Sequence, residues 1–323
     1  MRAVQFSETG ASSVLQVVDI PKPIAKPHEV LIKVEYAGVN FVDTYLRSGL
    51  YATALPSTVG REGAGVLEQV GSAVPPEYGL QAGDKVAVFA PGSTAEYMTA
   101  DAKTVLKLPA NVSTREGAAI VLQGLTAWTL ARDAHDLKAG EVALVQAAAG
   151  GTGGLLVQMC KALGATVIGT TSTPEKVEVA KGHGCDYVIN YSTHNVEEEV
   201  LKITEGQGCH AVFSGIGKDT FQTDMSLTRR KGTFVTFGNS SGAIDAVKPL
   251  DLSKKNIKLV RPTLANYITT REEFVTRSTE LMDLVAKGTV KVNIGGEYSL
   301  AEVAMAQDDL VSKKTVGKLV VKI

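Results

Sequence analysis

The sequence predicts an α/β protein: a β-rich domain joined to a doubly wound parallel sheet. Three observations carry this reading. The first third consists of short strands punctuated by Gly and Pro. From Glu141 onward, apolar strands alternate with amphipathic helices. Between the first of those strands and the next helix stands a glycine turn, QAAAGGTGG (146–154).

Taken in order, EVLIKVEYAGV (29–39) follows the Pro-rich lead PKPIAKP and alternates apolar with polar residues, as a strand does. GREGAGVLEQVG (60–71) reads as a glycine-rich strand between turns. AGDKVAVFA (82–90) reads as a turn at Gly83-Asp84 followed by a strand. The stretch 113–134 is rich in Ala and Leu, and Ser113 with Glu116 forms a capping box that starts a helix. Strands are then expected at 142–147, 166–171, 187–191, 211–216, 233–238 and 258–264, with helices at 153–163, 174–181, 196–204 and 221–227. Two further helices are expected: 270–288, capped by Thr270 and stopped at Gly288, and 301–314. The last strand, GKLVVKI (317–323), has no place in the six-strand sheet and is expected to return to the first domain.

Composition narrows the function classes. Charged residues make up 21% of 323, and the net charge of −1 gives no general attraction to nucleic acid or anionic membrane. Cys160, Cys185 and Cys209 form no C-x-x-C pair, so they read as packing thiols in a reducing compartment. The start, MRAVQF, lacks the pattern of a signal peptide, and no apolar run reaches the ~18 residues of a membrane span. A cytoplasmic protein is expected.

The glycine turn keeps the spacing of a dinucleotide fingerprint, with Ala147 in the place of the first glycine and Gly150 and Gly153 following. Gly150 and Gly151 let backbone approach a pyrophosphate. Gly153 and Gly154 let the helix pack close to the sheet, and the helix N-terminus offers N–H groups to phosphate. An NAD site places Asp or Glu about 20 residues on, to hold the ribose hydroxyls. Here Thr170-Thr171-Ser172-Thr173 stands at that strand end, followed by Glu175 and Lys176. Hydroxyls and a cation suit a 2′-phosphate, provided that the Glu175 side chain points elsewhere. The cofactor read from these residues is NADPH.

At this point the chain resembles the medium-chain dehydrogenase/reductase superfamily. Within it, AGVNFVDTYLRSGLY (37–51), QAAAGGTGG (146–154), RRKGTFVTFGNSSG (229–242) and RPTLANYITTREE (261–273) are similar to the zinc-independent quinone oxidoreductases, the zeta-crystallin group. The resemblance implies a GroES-like catalytic domain of residues 1–122 and 266–323, and a Rossmann NADPH-binding domain of residues 123–265. It implies that Asn40, Phe41 and Tyr45 lie near the nicotinamide, and Thr126 beside the cofactor. Gly150, Gly151, Thr152 and Gly153 are implied at the pyrophosphate, and Thr173, Lys176 and Tyr191 at the 2′-phosphate. Phe237, Gly238, Asn239 and Ser240 are implied against the nicotinamide ribose, and Thr263, Leu264 and Ala265 on the carboxamide. Where close relatives carry an arginine near the C-terminus, this chain offers Lys314; where they carry a cofactor-facing tyrosine, it offers Trp128 or Thr129.

Zinc relatives need Cys and His ligands. Residues 1–112 contain no Cys, and their only His is His28. Where zinc relatives carry Cys and Gly-His-Glu, this chain reads Val39-Asn40 and Gly60-Arg61-Glu62. No metal is therefore expected. A quinone is electrophilic enough to accept a hydride, or electrons, from nicotinamide without a Lewis acid or flavin. The oxygen that gains charge needs donors, for which Tyr45, Tyr51 and Asn40 are candidates, with Arg47 adding charge and Asp43 orienting a tyrosine or Asn40. Two other activities stay open: reduction of alkenals or enones, and AU-rich RNA binding or a crystallin-like structural role. A homodimer or homotetramer is expected, with 258–264 as a candidate edge strand.

Overall fold

In the computed structural model, which describes residues 1–323, each expected period becomes an element. The first part contains β1 (Arg2–Phe6), β2 (Gln16–Asp19), β3 (Glu29–Val39), α1 (Phe41–Ser48), β4 (Ser57–Thr58), β5 (Glu62–Val70), β6 (Lys85–Phe89), β7 (Tyr97–Asp101) and β8 (Val105–Lys107). Then come α2 (Thr114–Thr129), β9 (Val142–Val145), α3 (Gly151–Ala162), β10 (Thr166–Thr171), α4 (Pro174–Gly182), β11 (Tyr187–Asn190), α5 (Val196–Ile203), β12 (Cys209–Ser214), α6 (Phe221–Leu227), β13 (Thr228–Thr236), α7 (Pro249–Ser253), β14 (Lys258–Val260) and α8 (Leu264–Tyr267). The last elements are α9 (Arg271–Ala286), β15 (Ile294–Ser299), α10 (Val303–Val311) and β16 (Lys318–Lys322).

The chain divides into two units. One comprises Met1–Gln123, Ile268–Gly288 and Val292–Ile323; the other comprises Gly124–Tyr267 and Thr289–Lys291. In the first unit, β2-β1-β4 form a small sheet, and β15-β16-β3-β5-β6-β8 form a larger one, with β7 also pairing with β3. The strand β16 lies antiparallel to β3, with Leu319 opposite Val39 and Val321 opposite Ala37. Alternation along β3 puts Val30, Ile32 and Val34 into an apolar cluster with Leu67, Val86 and Val88. A second cluster joins Val4, Phe6, Val39 and Leu319 to Val303 and Ala306 of α10.

In the second unit, six parallel strands run in the order β11-β10-β9-β12-β13-β14. This is the doubly wound order 3-2-1-4-5-6, whose switch point lies between β9 and β12. Leu144, Ile168, Val212 and Phe234 are buried in its core, which explains why these strands read as continuous apolar runs.

Several elements differ from the sequence reading; the strand expected over 233–238, for one, is β13 and already begins at Thr228. The helix expected over 113–134 keeps α-helical geometry only to Thr129, then widens into a π-type turn over Leu130–Ala134. The strand expected over 258–264 stops at Val260, because Pro262 lacks the N–H that would continue the ladder. The short β15, IGGEYS, escapes a periodicity argument because two glycines and a glutamate break its apolar run.

Candidate functional site

The glycine turn starts where β9 ends. Ala147 adopts φ 54°, in the left-handed region, so the alanine takes up a conformation that suits glycine. Its carbonyl accepts the N–H of Gly150 at 2.9 Å. Gly150 caps α3, whose first amides point out of the helix N-terminus. Gly153 is dictated by packing: a Cβ there would stand 2.2 Å from the Ala147 carbonyl oxygen. Gly154 is dictated likewise, since a Cβ would meet the His183 ring at 2.4 Å. That ring donates from Nδ1 to the carbonyl of Ala148 at 3.1 Å, closing the turn against the end of α4.

The ends of β10 and β11 form the adjoining edge. Thr173 caps α4 by accepting the Lys176 N–H at 3.3 Å. Lys176 is half-buried, and burial pulls its ammonium below the usual lysine range. The Glu175 carboxylate is held low by its own N–H and the Thr173 hydroxyl, so it folds back on the start of α4. Tyr191 is 50% exposed, and its N–H donates to Thr171 O at 2.9 Å. Thr170 behaves differently from the phosphate-facing hydroxyl expected of it. It is fully buried, and its hydroxyl donates to Gln146 Oε1. It points inward because alternation along β10 sends Thr170 and Thr171 to opposite faces, both covered.

On the other side of the switch point, Phe237 donates its N–H to Ser214 O at 2.9 Å, and Ser240 donates to Gly215 O at 3.2 Å. The Phe237 ring lies where a Cβ on Gly215 would stand, 2.9 Å away, and Gly238 has no room for one at 2.5 Å from Gly215 O. The loop 237–240 is thus packed on the end of β12, half-buried throughout. Thr263 and Ala265 are exposed at the start of α8, with Leu264 half-buried between them. Thr126 is half-buried on α2, beside the buried Trp128 and Thr129. Lys314 belongs to the first unit, exposed in the turn after α10.

The first unit gathers the remaining candidates around α1. Asn40 caps this helix, and its own N–H donates to Asp43 Oδ2 at 2.8 Å. Phe41, Tyr45 and Tyr51 form a ring series: Phe41 and Tyr45 centroids lie 6.2 Å apart, and Tyr51 stands edge-on to Tyr45 at 5.2 Å. The Tyr51 N–H donates to Tyr45 O at 3.0 Å, which fixes the loop after the left-handed Gly49. Arg47 is buried, and its guanidinium lies 4.0 Å from Asp308 of α10. Its charge is directed at that carboxylate, and burial lowers its pKa.

Three residues of this cluster were not singled out as site residues by sequence: Glu62, Gln123 and Lys318. Lys318, 2% exposed, donates from Nζ to Asn40 Oδ1 at 2.7 Å, to Val39 O at 3.0 Å and to Glu62. Glu62, 0% exposed, also accepts Asn40 Nδ2 at 2.7 Å and Leu122 N–H at 2.6 Å. Gln123 Nε2 donates to Asn40 Oδ1 at 3.3 Å. The Asn40 amide is therefore held at both ends by protein groups. Gly38 makes room for this: a Cβ there would stand 2.3 Å from Glu62 Oε1. The only sequence signal for Lys318 was a lysine opening the apolar run KLVVK, whose burial a one-dimensional pattern does not disclose.

Desolvation pushes Asp43 up to about 7, against the pull of the Asn40 N–H and the Lys318 ammonium; Glu62 pushes the same way as burial, and Arg61 opposes it. Its Oδ1 is buried without a hydrogen-bond partner, an environment that disfavours the carboxylate.

Residues 151–286 match the family model for zinc-binding dehydrogenases, and 26–110 match that for the alcohol dehydrogenase GroES-like domain. A quinone oxidoreductase of Pseudomonas aeruginosa is 39% identical over 99% of this chain and 98% of its own. The chain belongs to the quinone oxidoreductases of the medium-chain dehydrogenase/reductase superfamily. As a member of that family it is an enzyme, an oxidoreductase. The structure of an Escherichia coli quinone oxidoreductase complexed with NADPH superposes with a TM-score of 0.96 at 36% identity, covering 100% of both chains. A 2-haloacrylate reductase of Burkholderia is 35% identical over 91% of this chain and 90% of its own.

A zinc ion needs a set of Cys, His or carboxylate donors. No three His, Cys, Asp or Glu side chains are grouped so as to hold one. Around Asn40 and Glu62 the cation is the Lys318 ammonium, and these residues do not offer a zinc donor set.

Two outcomes follow from this cluster. Lys318→Met should cost about 3–5 kcal/mol, because it orphans a buried carboxylate, and Glu62→Gln with Lys318→Met together should recover most of that loss. Urea denaturation of the two variants checks it. Because the folded pKa of Asp43 is raised, its contribution to stability is present below the unfolded value near 4 and is lost as pH rises through about 7. Asp43→Asn should therefore gain stability relative to the parent between pH 5 and pH 8, by up to about 4 kcal/mol, measured as the difference between the two denaturation curves at each pH.

Proposed function

We propose that this enzyme is an NADPH:quinone reductase that works without a metal or flavin. The observation that carries the reading is the glycine turn of the second unit, followed by a Thr173–Lys176 edge that has hydroxyls and an ammonium in place of an acid; the first unit by itself offers an aromatic series beside Asn40. Its similarity to quinone oxidoreductases over the whole chain supports the acceptor class, and the NADPH complex of the E. coli relative supports the cofactor.

When bound, NADPH supplies the hydride. The amides of Gly151, Thr152 and Gly153 at the start of α3 hold the pyrophosphate. Thr173, Lys176 and Tyr191 hold the 2′-phosphate; the cost of half-burying an ammonium is offset when a dianion stands beside it. The loop Phe237–Ser240 and the start of α8 at Leu264 orient the nicotinamide end. In the first unit, Phe41, Tyr45 and Tyr51 present ring faces and edges to a flat aromatic acceptor. The tyrosine hydroxyls serve the acceptor oxygen as it gains charge. Asn40 has no spare donor for that task and acts instead to set the start of α1 and hence the Tyr45 ring. Asp43 accepts the Asn40 N–H and so helps to fix the start of α1 from which the Tyr45 ring projects.

A second reading is favoured by one finding, the 35% identity to a 2-haloacrylate reductase: the hydride is delivered to an activated C=C bond. The fold, cofactor and donor set are the same for both.

NADPH should bind at least about tenfold more tightly than NADH, as titrations of cofactor fluorescence would show, and Lys176→Glu should reduce that ratio to within about threefold. Equal affinities in the parent enzyme would remove the NADPH assignment. For the acceptor, NADPH oxidation should be faster with para- and ortho-quinones than with 2-haloacrylate or unsaturated aldehydes at matched concentrations. Faster turnover of the alkenes would make the second reading the right one.

A further inference from the structure

Asp224, on α6, is wholly buried at 0% exposure, and none of the roles above uses it. Its carboxylate accepts from Gln146 Nε2 at 2.6 Å and from Thr220 Oγ1 at 2.7 Å. Gln146 Oε1 in turn accepts the hydroxyl of Thr170, and Thr170 Oγ1 accepts the N–H of Ala147 at 3.3 Å. One line of hydrogen bonds thus runs from α6 across the C-terminal ends of β9 and β10 to the N–H of Ala147 in the glycine turn.

The direction of each bond is forced. A carboxylate only accepts, so Gln146 must turn its NH2 toward Asp224 and its oxygen toward Thr170. Thr170 must then give its proton to Gln146, which leaves a lone pair for the Ala147 N–H. Ala147 needs such a hold, because its φ of 54° costs a non-glycine residue about 1–2 kcal/mol. Further bonds pin the same turn: Gly150 N–H to Ala147 O at 2.9 Å, and Ala148 N–H to Thr170 O at 3.0 Å.

We propose that Asp224 is a positioning residue for dinucleotide binding: by orienting Gln146 and Thr170 it holds the Ala147 turn, and with it the amides at the start of α3, in the pose that meets the pyrophosphate. The alanine in place of the fingerprint's first glycine makes this relay necessary. The inference rests on the reading of this turn as the NADPH site.

The test compares two ligands. NADPH dissociation constants are measured for the parent enzyme, Asp224→Asn and Thr170→Val, alongside those of adenosine 2′-monophosphate, which carries the 2′-phosphate but no pyrophosphate. NADPH should weaken about tenfold in each variant, while adenosine 2′-monophosphate stays within about twofold of the parent. Ala147→Gly relaxes the left-handed position, so in that background Thr170→Val should weaken NADPH by less than about threefold. Unchanged NADPH affinity in both single variants overturns the proposal, and so does an equal loss for both ligands, which would mark general damage to the fold. A parent enzyme that binds no NADPH would overturn the underlying cofactor reading, a result separable from either of these.

Discussion

An ammonium and a carboxylate buried at 2% and 0% exposure persist in a protein interior only as a pair with every remaining valence engaged. Lys318 and Glu62 meet that condition, and much of the first unit follows from it. The ammonium lies on the last strand, and its three acceptors lie on β3, on the cap of α1 and on β5. The pair therefore ties the C-terminal strand to the segment from which α1 departs. It also explains Gly38, whose missing side chain is the space the carboxylate occupies. Asn40, held between the two charges and Gln123, has no freedom to rotate its amide, and α1 begins where that amide is anchored.

The same constraint acts in the second unit with one charge instead of two. Asp224 has no cationic partner; it accepts from the neutral donors Gln146 and Thr220. Burial without a counter-charge leaves its pKa at about 6, above the usual carboxylate range. Both units thus contain a buried acid that sets the direction of a side-chain amide. Such networks specify geometry more than they add stability.

Much of the fold was legible because it depends on period. The alternating runs of β9, β10, β12 and β13 and the capped helix α9 recur at spacings that geometry imposes, so they could be placed within a few residues. The glycine turn was legible because Gly153 and Gly154 sit where a Cβ would overlap Ala147 and His183, a close approach that selects glycine. The end of β14 needed attention to Pro262, and β15 could not be read at all, since its glycines hide the period. The hydroxyl-rich strand end was read correctly as lacking an acid, but Thr170 belongs to the relay beneath the turn rather than to its surface.

Spacing along the chain was enough to read the α/β class and a glycine turn between a strand and a helix. These depend on residues near one another in sequence, where backbone geometry alone decides what is possible. The partners of the buried charges were decided only by the tertiary fold. Lys318 and Asn40 stand 278 residues apart, and Gln146 and Asp224 78 apart. A lysine or aspartate is ordinarily a surface residue, and only the packing that removes its water requires the specific partners found here.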